Sequence, residues 1–233
     1  MTISEPKRMV YALAFPAFFI LLLWIVRVIE WEFGYDFSFL GIEPRRWQSL
    51  LHIFTYSFIH SGFSHLLANT IPLLVLGWIL FLFYRDVAPK VVLWLWILSG
   101  IFTWLIGRTG THIGASGLIY GLVFFLFFSG VFRKDFPLMA VSLVVVFLYG
   151  SILWNMFPVA EYIDPDVSWE GHLSGAMSGF ILAAAFRPRI SQREISEDDE
   201  EWPEWADPPF LEKEDEFHQN RAEDINEEKM PKE

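Results

Sequence analysis

The sequence predicts an all-α polytopic membrane protein, a bundle of six transmembrane helices. Three observations carry this. Of 233 residues, 54% are apolar and 18% aromatic, with 24 Phe and 11 Trp, more than a water-soluble domain of this size needs for its core. Several apolar runs reach or approach the length of about 20 residues that crosses a bilayer as a helix. The Lys and Arg residues between those runs are strongly biased to one side.

The first run, about 9–30, reads MVYALAFPAFFILLLWIVRVIE and contains Pro16, a kink that membrane helices tolerate. It is too long for a signal-peptide core and lacks a small-residue cleavage site, so it is read as a retained helix. Residues 31–63 then form a long aromatic connection broken by Gly, Pro and charge. A loop of that length in a compact protein is usually functional, and its aromatic content places it in the membrane interface. The second run is about 64–84, SHLLANTIPLLVLGWILFLFY, and the third about 91–107, VVLWLWILSGIFTWLIG. The fourth, about 115–132, is led by Ser116, the fifth is about 137–157, and the sixth, about 168–186, reads SWEGHLSGAMSGFILAAAF.

With six spans both termini share one side. That side holds Lys7, Arg8, Arg85, Lys90, Arg133, Lys134, Arg187, Arg189 and Arg193, against Arg45, Arg46 and Arg108 opposite. The termini are therefore expected in the cytoplasm. The chain divides into a membrane core, 1–190, and an acidic tail, 191–233. The tail carries 17 acidic and 5 basic residues, so that almost all of the net charge of −11 belongs to it. Its dense like charge and sparse apolar residues predict disorder. It reads either as a solvating cytoplasmic tail or, through EWPEWADPPFL, as a docking motif for a cytoplasmic partner. Neither part has the charge of a nucleic-acid binder. The absence of cysteine excludes disulfides, thiolate catalysis and cysteine-ligated metals.

Polar groups inside spans are rare and tend to be functional. Here they gather at matching ends of three spans. His65 and Asn69 open the second, four residues apart and on one helix face. Ser116 opens the fourth and His172 lies near the start of the sixth. A serine attacks a carbonyl only when a base takes its proton, and neutral imidazole suits that task. The resulting oxyanion needs donors, which the backbone N–H of Ser116 at a helix start and the side chains of His65 and Asn69 can supply. Gly114 and Gly117 allow close approach of a backbone or a neighbouring helix. Gly171, Gly175 and Gly179 form a small-residue stripe that presses His172 against its partner helix. Tyr120, one turn after Ser116, is placed to stack on His172. Glu170 points to a different helix face from His172, so a Ser–His dyad is preferred to a triad. A metal held by His52, His60, His65, His112 and His172 is disfavoured, because zinc wants three close ligands and only His60 and His65 are near in sequence. No cofactor is expected.

These motifs resemble those of the rhomboid intramembrane serine proteases. HSGFSHLLAN is similar to that family's His-x4-His-x3-Asn element, GASGLIYG to its Gly-x-Ser-Gly nucleophile motif, and GHLSGAMSG to the His-x-x-Gly-x-x-x-Gly motif of its last core helix. The resemblance covers about 50–186 and implies a six-helix rhomboid-like bundle. It implies Ser116 as nucleophile, His172 as base, and His65, Asn69 and the Ser116 N–H as the oxyanion hole. Gly114 would form the turn before the nucleophile, and Tyr120 would pack on His172. It further implies a wet cavity below the outer membrane surface and single-span membrane proteins as substrates, cut where their helix is easily unwound. One departure is visible. Where many relatives carry a Trp-Arg pair in the first loop, this chain has Leu51 and His52, with Arg46 and Trp47 upstream in reverse order. The sequence also admits two other readings: a catalytically silent rhomboid-like protein that binds or chaperones membrane helices, and a transporter relaying protons through its histidines. The second fits poorly with spans that hold no acidic residue at their middle.

Overall fold

The computed structural model describes residues 5–133, 136, 139–140, 143, 147, 154–159 and 167–191. Most of the predicted fifth run and the tail beyond 191 lie outside the described residues. The main compact unit is Ala12–Glu194; a second comprises Met1–Tyr11 and Ile195–Glu233, of which the described part is the first turns of the N-terminal helix. Among the described residues five long helices match five of the six predicted runs: α1 Glu5–Phe33, α2 Phe63–Phe83, α3 Ala88–Ile106, α4 Ser116–Arg133 and α5 Trp169–Ser191. Met9–Phe33, Phe63–Phe83 and Ala88–Ile106 are each long and apolar enough to cross a membrane, whereas the apolar part of α4, Ser116–Phe132, is shorter. The chain is an all-helical integral membrane protein.

The short helix is also the most enclosed. Leu118, Ile119, Tyr120, Leu122, Val123, Phe125 and Leu126 are all buried. A helix that is apolar all round belongs inside a bundle, and α4 is walled by α2, α3 and α5. Its eighteen residues rise about 27 Å, so its first residue can start below the rim set by its longer neighbours.

Glycine sets the α4–α5 distance. A Cβ added at Gly175 would overlap the carbonyl of Gly117, and one at Gly179 would overlap the carbonyl of Gly121. The stripe predicted on the last helix is therefore matched by a second stripe, Gly117 and Gly121, on α4. On the other side of the bundle Pro16 of α1 packs where a Cβ on Gly77 of α2 would stand, 2.9 Å from the proline Cβ. The Trp24 indole N–H donates to Thr70 Oγ1 at 3.1 Å and ties the same two helices.

The long first loop is built of three 3-10 helices, Ser38–Leu40, Trp47–Phe54 and Tyr56–Phe58. Ile42, Ile53 and Tyr56 form a small core of their own with Trp96, Ile101 and Trp104 of α3. Trp47, Leu51 and Phe54 are exposed on the middle helix. The loop also caps α3. Arg45 takes the left-handed conformation, φ 61°. Its backbone N–H donates to the Trp104 carbonyl at 3.0 Å, and its guanidinium reaches the carbonyls of Leu105 and Gly107 at 3.3 and 2.8 Å. These are the carbonyls that a helix end leaves without internal partners. At the place of the missing Trp-Arg pair, the His52 ring bonds the Gly41 carbonyl through Nδ1 at 2.8 Å.

Candidate active site

The first loop frames the segment that leads into α4. Ile42 and His112 exchange both backbone hydrogen bonds, at 2.9 and 2.8 Å. The Tyr56 carbonyl accepts from Gly114 N–H at 2.9 Å, and His60 Nε2 accepts from Ala115 N–H at 3.4 Å. Gly114 sits at φ 106°, a conformation that favours glycine. This turn delivers Ser116 to the first position of α4, where backbone N–H groups have no acceptor within the helix.

Two rings converge on that turn. His172 Nε2 lies 2.9 Å from Ser116 Oγ, while His172 Nδ1 lies 2.7 Å from the carbonyl oxygen of Asn155. A carbonyl only accepts, so Nδ1 carries the ring proton. Nε2 is left with its lone pair, and Ser116 O–H donates to it. Tyr120 stacks on the His172 ring, with centroids 4.3 Å apart and planes within 11°. His65 flanks the turn from α2. A Cβ on Gly114 would stand 3.0 Å from His65 Cε1 and 3.2 Å from Nε2. Ser61 Oγ is 3.2 Å from His65 Nδ1; with that hydroxyl donating, the His65 proton lies on Nε2, beside Gly114. Asn69 is buried one turn further along α2, and its amide donates to the His65 carbonyl at 3.1 Å.

Ser116, His172, Tyr120, His65, Asn69 and Gly114 thus share one end of the bundle. Gly117, Gly171 and Gly175 lie along the α4–α5 contact just beneath, where a Cβ on Gly117 would stand 3.3 Å from the Gly171 carbonyl. Glu170 turns away from His172. Its Oε1 accepts from Arg108 N–H at 3.1 Å, and Oε2 is 3.7 Å from Arg108 Nη1. His60 and His112 have other partners. His60 Nδ1 donates to the Phe58 carbonyl at 3.4 Å, leaving Nε2 to accept from Ala115. His112 lies between Arg108 and Ser168. Among the described residues no group of three His, Cys, Asp or Glu side chains is placed to hold a metal ion.

Residues 47–189 match the Rhomboid domain. The chain belongs to the rhomboid family. The uncharacterised protein Rv1337 of Mycobacterium tuberculosis is 41% identical to this rhomboid over 172 residues, 71% of each chain. The uncharacterised protein ML1171 of Mycobacterium leprae is 37% identical over 71% of this chain and 67% of its own. Rhomboid-related protein 2 of Mus musculus is 25% identical over 60% of this chain and 49% of its own. The Asn155 carbonyl, the Arg108–Glu170 pair and the His112–Ser168 contact are not legible in the sequence of this rhomboid. A carbonyl leaves no trace in residue type. The other two link stretches about 60 residues apart through side chains with no family motif.

Proposed function

We propose that this rhomboid is an intramembrane serine endopeptidase that cuts single-span membrane proteins with a Ser116–His172 dyad. The observation that carries the reading is the 2.9 Å contact from Ser116 Oγ to the unprotonated Nε2 of a histidine whose other nitrogen is held by a carbonyl at 2.7 Å. Ser116 Oγ attacks the substrate carbonyl carbon as Nε2 takes the hydroxyl proton. The C=O π pair moves to oxygen, and the oxyanion receives hydrogen bonds from the Ser116 N–H and from the side chains of His65 and Asn69. Imidazolium then returns the proton to the leaving amine as the C–N bond breaks. Water, deprotonated by the same nitrogen, hydrolyses the acyl-enzyme. The Asn155 carbonyl serves where a soluble protease uses a carboxylate: it fixes the tautomer and ring orientation.

A transmembrane helix satisfies its own backbone hydrogen bonds. A substrate must therefore unwind to present a carbonyl, which favours segments with Gly or Pro. The bias of Lys and Arg sets the termini in the cytoplasm and the dyad towards the outer face, among membrane lipids. The acidic 191–233 segment is then available to a cytoplasmic partner.

The test is labelling of the full chain by a fluorophosphonate probe, beside cleavage of a single-span substrate in liposomes. Wild type should label and cleave, and Ser116→Ala and His172→Ala should do neither while melting like wild type. Cleavage retained by Ser116→Ala refutes the dyad. A folded wild type that binds the substrate helix, yet neither labels nor cleaves, points instead to a silent helix-binding rhomboid.

A further inference from the structure

A second contact between the same two chain segments lies upstream of the dyad. His112 is four residues before Ser116, and Ser168 is four residues before His172. His112 Nδ1 is 2.5 Å from Ser168 Oγ, and His112 Nε2 is 3.0 Å from the Arg108 carbonyl. The carbonyl requires the proton on Nε2, so Nδ1 accepts and the Ser168 hydroxyl donates to it. Ser168 Oγ in turn accepts from Gly171 N–H at 3.1 Å, while the Ser168 carbonyl accepts from His172 N–H at 3.2 Å. Ser168 is thus the N-cap of α5 and holds the backbone of the two residues that end in His172. Every donor in this run has one acceptor, from the Arg108 carbonyl to the first turn of the helix.

Two further ties immobilise the contact. The Arg108 guanidinium donates to the Val167 carbonyl at 3.0 Å and pairs with buried Glu170, whose other oxygen holds the Arg108 N–H. The His112 backbone is bridged to Ile42 of the first loop. Burial lowers the His112 pKa, as do the charges of Arg108 and Arg45, against the hydrogen bond to the Arg108 carbonyl and the charge of Glu170. The ring therefore stays in the neutral form that the wiring needs.

We propose that the His112–Ser168 hydrogen bond, backed by Arg108 and Glu170, is a positioning latch that sets the distance and angle between Ser116 and His172. It rests on the reading of those two residues as the dyad. The latch touches no substrate; it acts by joining the segment that carries the nucleophile to the helix that carries the base, upstream of both.

The experiment measures the rate of fluorophosphonate labelling and the kcat and KM of cleavage, on purified full-length protein in liposomes, corrected for the folded fraction. Ser168→Gly removes the hydroxyl, yet glycine is itself an acceptable N-cap, so the helix is retained. His112→Ala removes the acceptor. Each should slow labelling about 10-fold and lower kcat by a similar factor with KM unchanged, as expected for a small misplacement of reacting groups. The double variant should be no slower than either single one. His112→Asn, which can again accept from Ser168, should recover most of the rate. Wild-type labelling in Ser168→Gly, multiplied losses in the double variant, or equal rates in His112→Asn and His112→Ala would each overturn the latch. If Ser168→Gly does not purify, the His112 pair decides alone. If wild type itself does not label, the dyad reading fails and the latch with it; if wild type labels and the variants match it, the latch alone fails.

Discussion

The Tyr120 ring lies flat on the imidazole of His172, 4.3 Å away and within 11° of parallel. Both residues face the α4–α5 contact, where glycines let the two backbones close up. The stack holds one face of His172 while the Asn155 carbonyl holds one edge. Together they leave Nε2 a single direction, towards Ser116. Tyr120→Ala should therefore lower kcat about 10-fold by freeing the ring, and Tyr120→Phe should lose much less. Steady-state cleavage of a single-span substrate by the two variants checks this; equal losses would remove the stack from the account.

The α4–α5 distance makes a second prediction. Gly175→Ala forces a methyl group into the Gly117 carbonyl, and overpacking of this kind costs about 1–3 kcal/mol. Gly62→Ala meets nothing within 4 Å, at an extended backbone φ of −174°. Melting in detergent should fall clearly for Gly175→Ala and stay near wild type for Gly62→Ala.

Acid should destabilise the fold through His60. Burial pushes its pKa down to about 4, and the charges of His65 and Arg27 act in the same direction, against the hydrogen bond to the Phe58 carbonyl. An imidazole in the unfolded chain takes its proton near 6.5. Between those values the unfolded state binds more protons, so this contribution to stability is complete above about pH 6.5 and is lost as pH falls towards 4. A shift of this size corresponds to about 3 kcal/mol at most. Protonating Nε2 also removes the acceptor for Ala115 N–H. Melting between pH 7.5 and 4.5 should drop in wild type and drop less in His60→Gln.

Glu170 distinguishes a dyad from a triad. Its carboxylate serves Arg108, so Glu170→Gln should retain an acceptor for the Arg108 N–H and keep most of the cleavage activity. Glu170→Ala leaves Arg108 without its carboxylate and should lower the unfolding free energy by about 1–3 kcal/mol, read as a lower melting temperature, since one partner of a largely buried pair is removed and Arg108 is partly solvated. A loss of activity in Glu170→Gln as large as that in His172→Ala would make Glu170 part of the proton relay.

The helices were legible in the sequence because a membrane helix is specified locally. Runs such as 64–84 and 91–107 coincide with α2 and α3 to within a few residues, since hydrocarbon accepts little besides a helix with its backbone bonds closed. The first loop was legible only as a long aromatic connection. Its 3-10 turns, and its role in holding His112, Gly114 and Ala115, depend on where α3 and α4 stand.

What the sequence determined by itself was the class of molecule, the ends of the spans, and the residue types gathered there: Ser116, His172, His65 and Asn69. The tertiary structure alone decided how they are held. Which nitrogen of His172 keeps its proton depends on a backbone carbonyl at Asn155. Spacing on one helix already turned Glu170 from His172, but that its carboxylate serves Arg108 depends on how α5 is rotated against the 107–115 segment. Carbonyls are common to every residue and helix rotation is set by packing, so neither is written in any local pattern. Both emerge only when stretches far apart in the chain are pressed together by glycine.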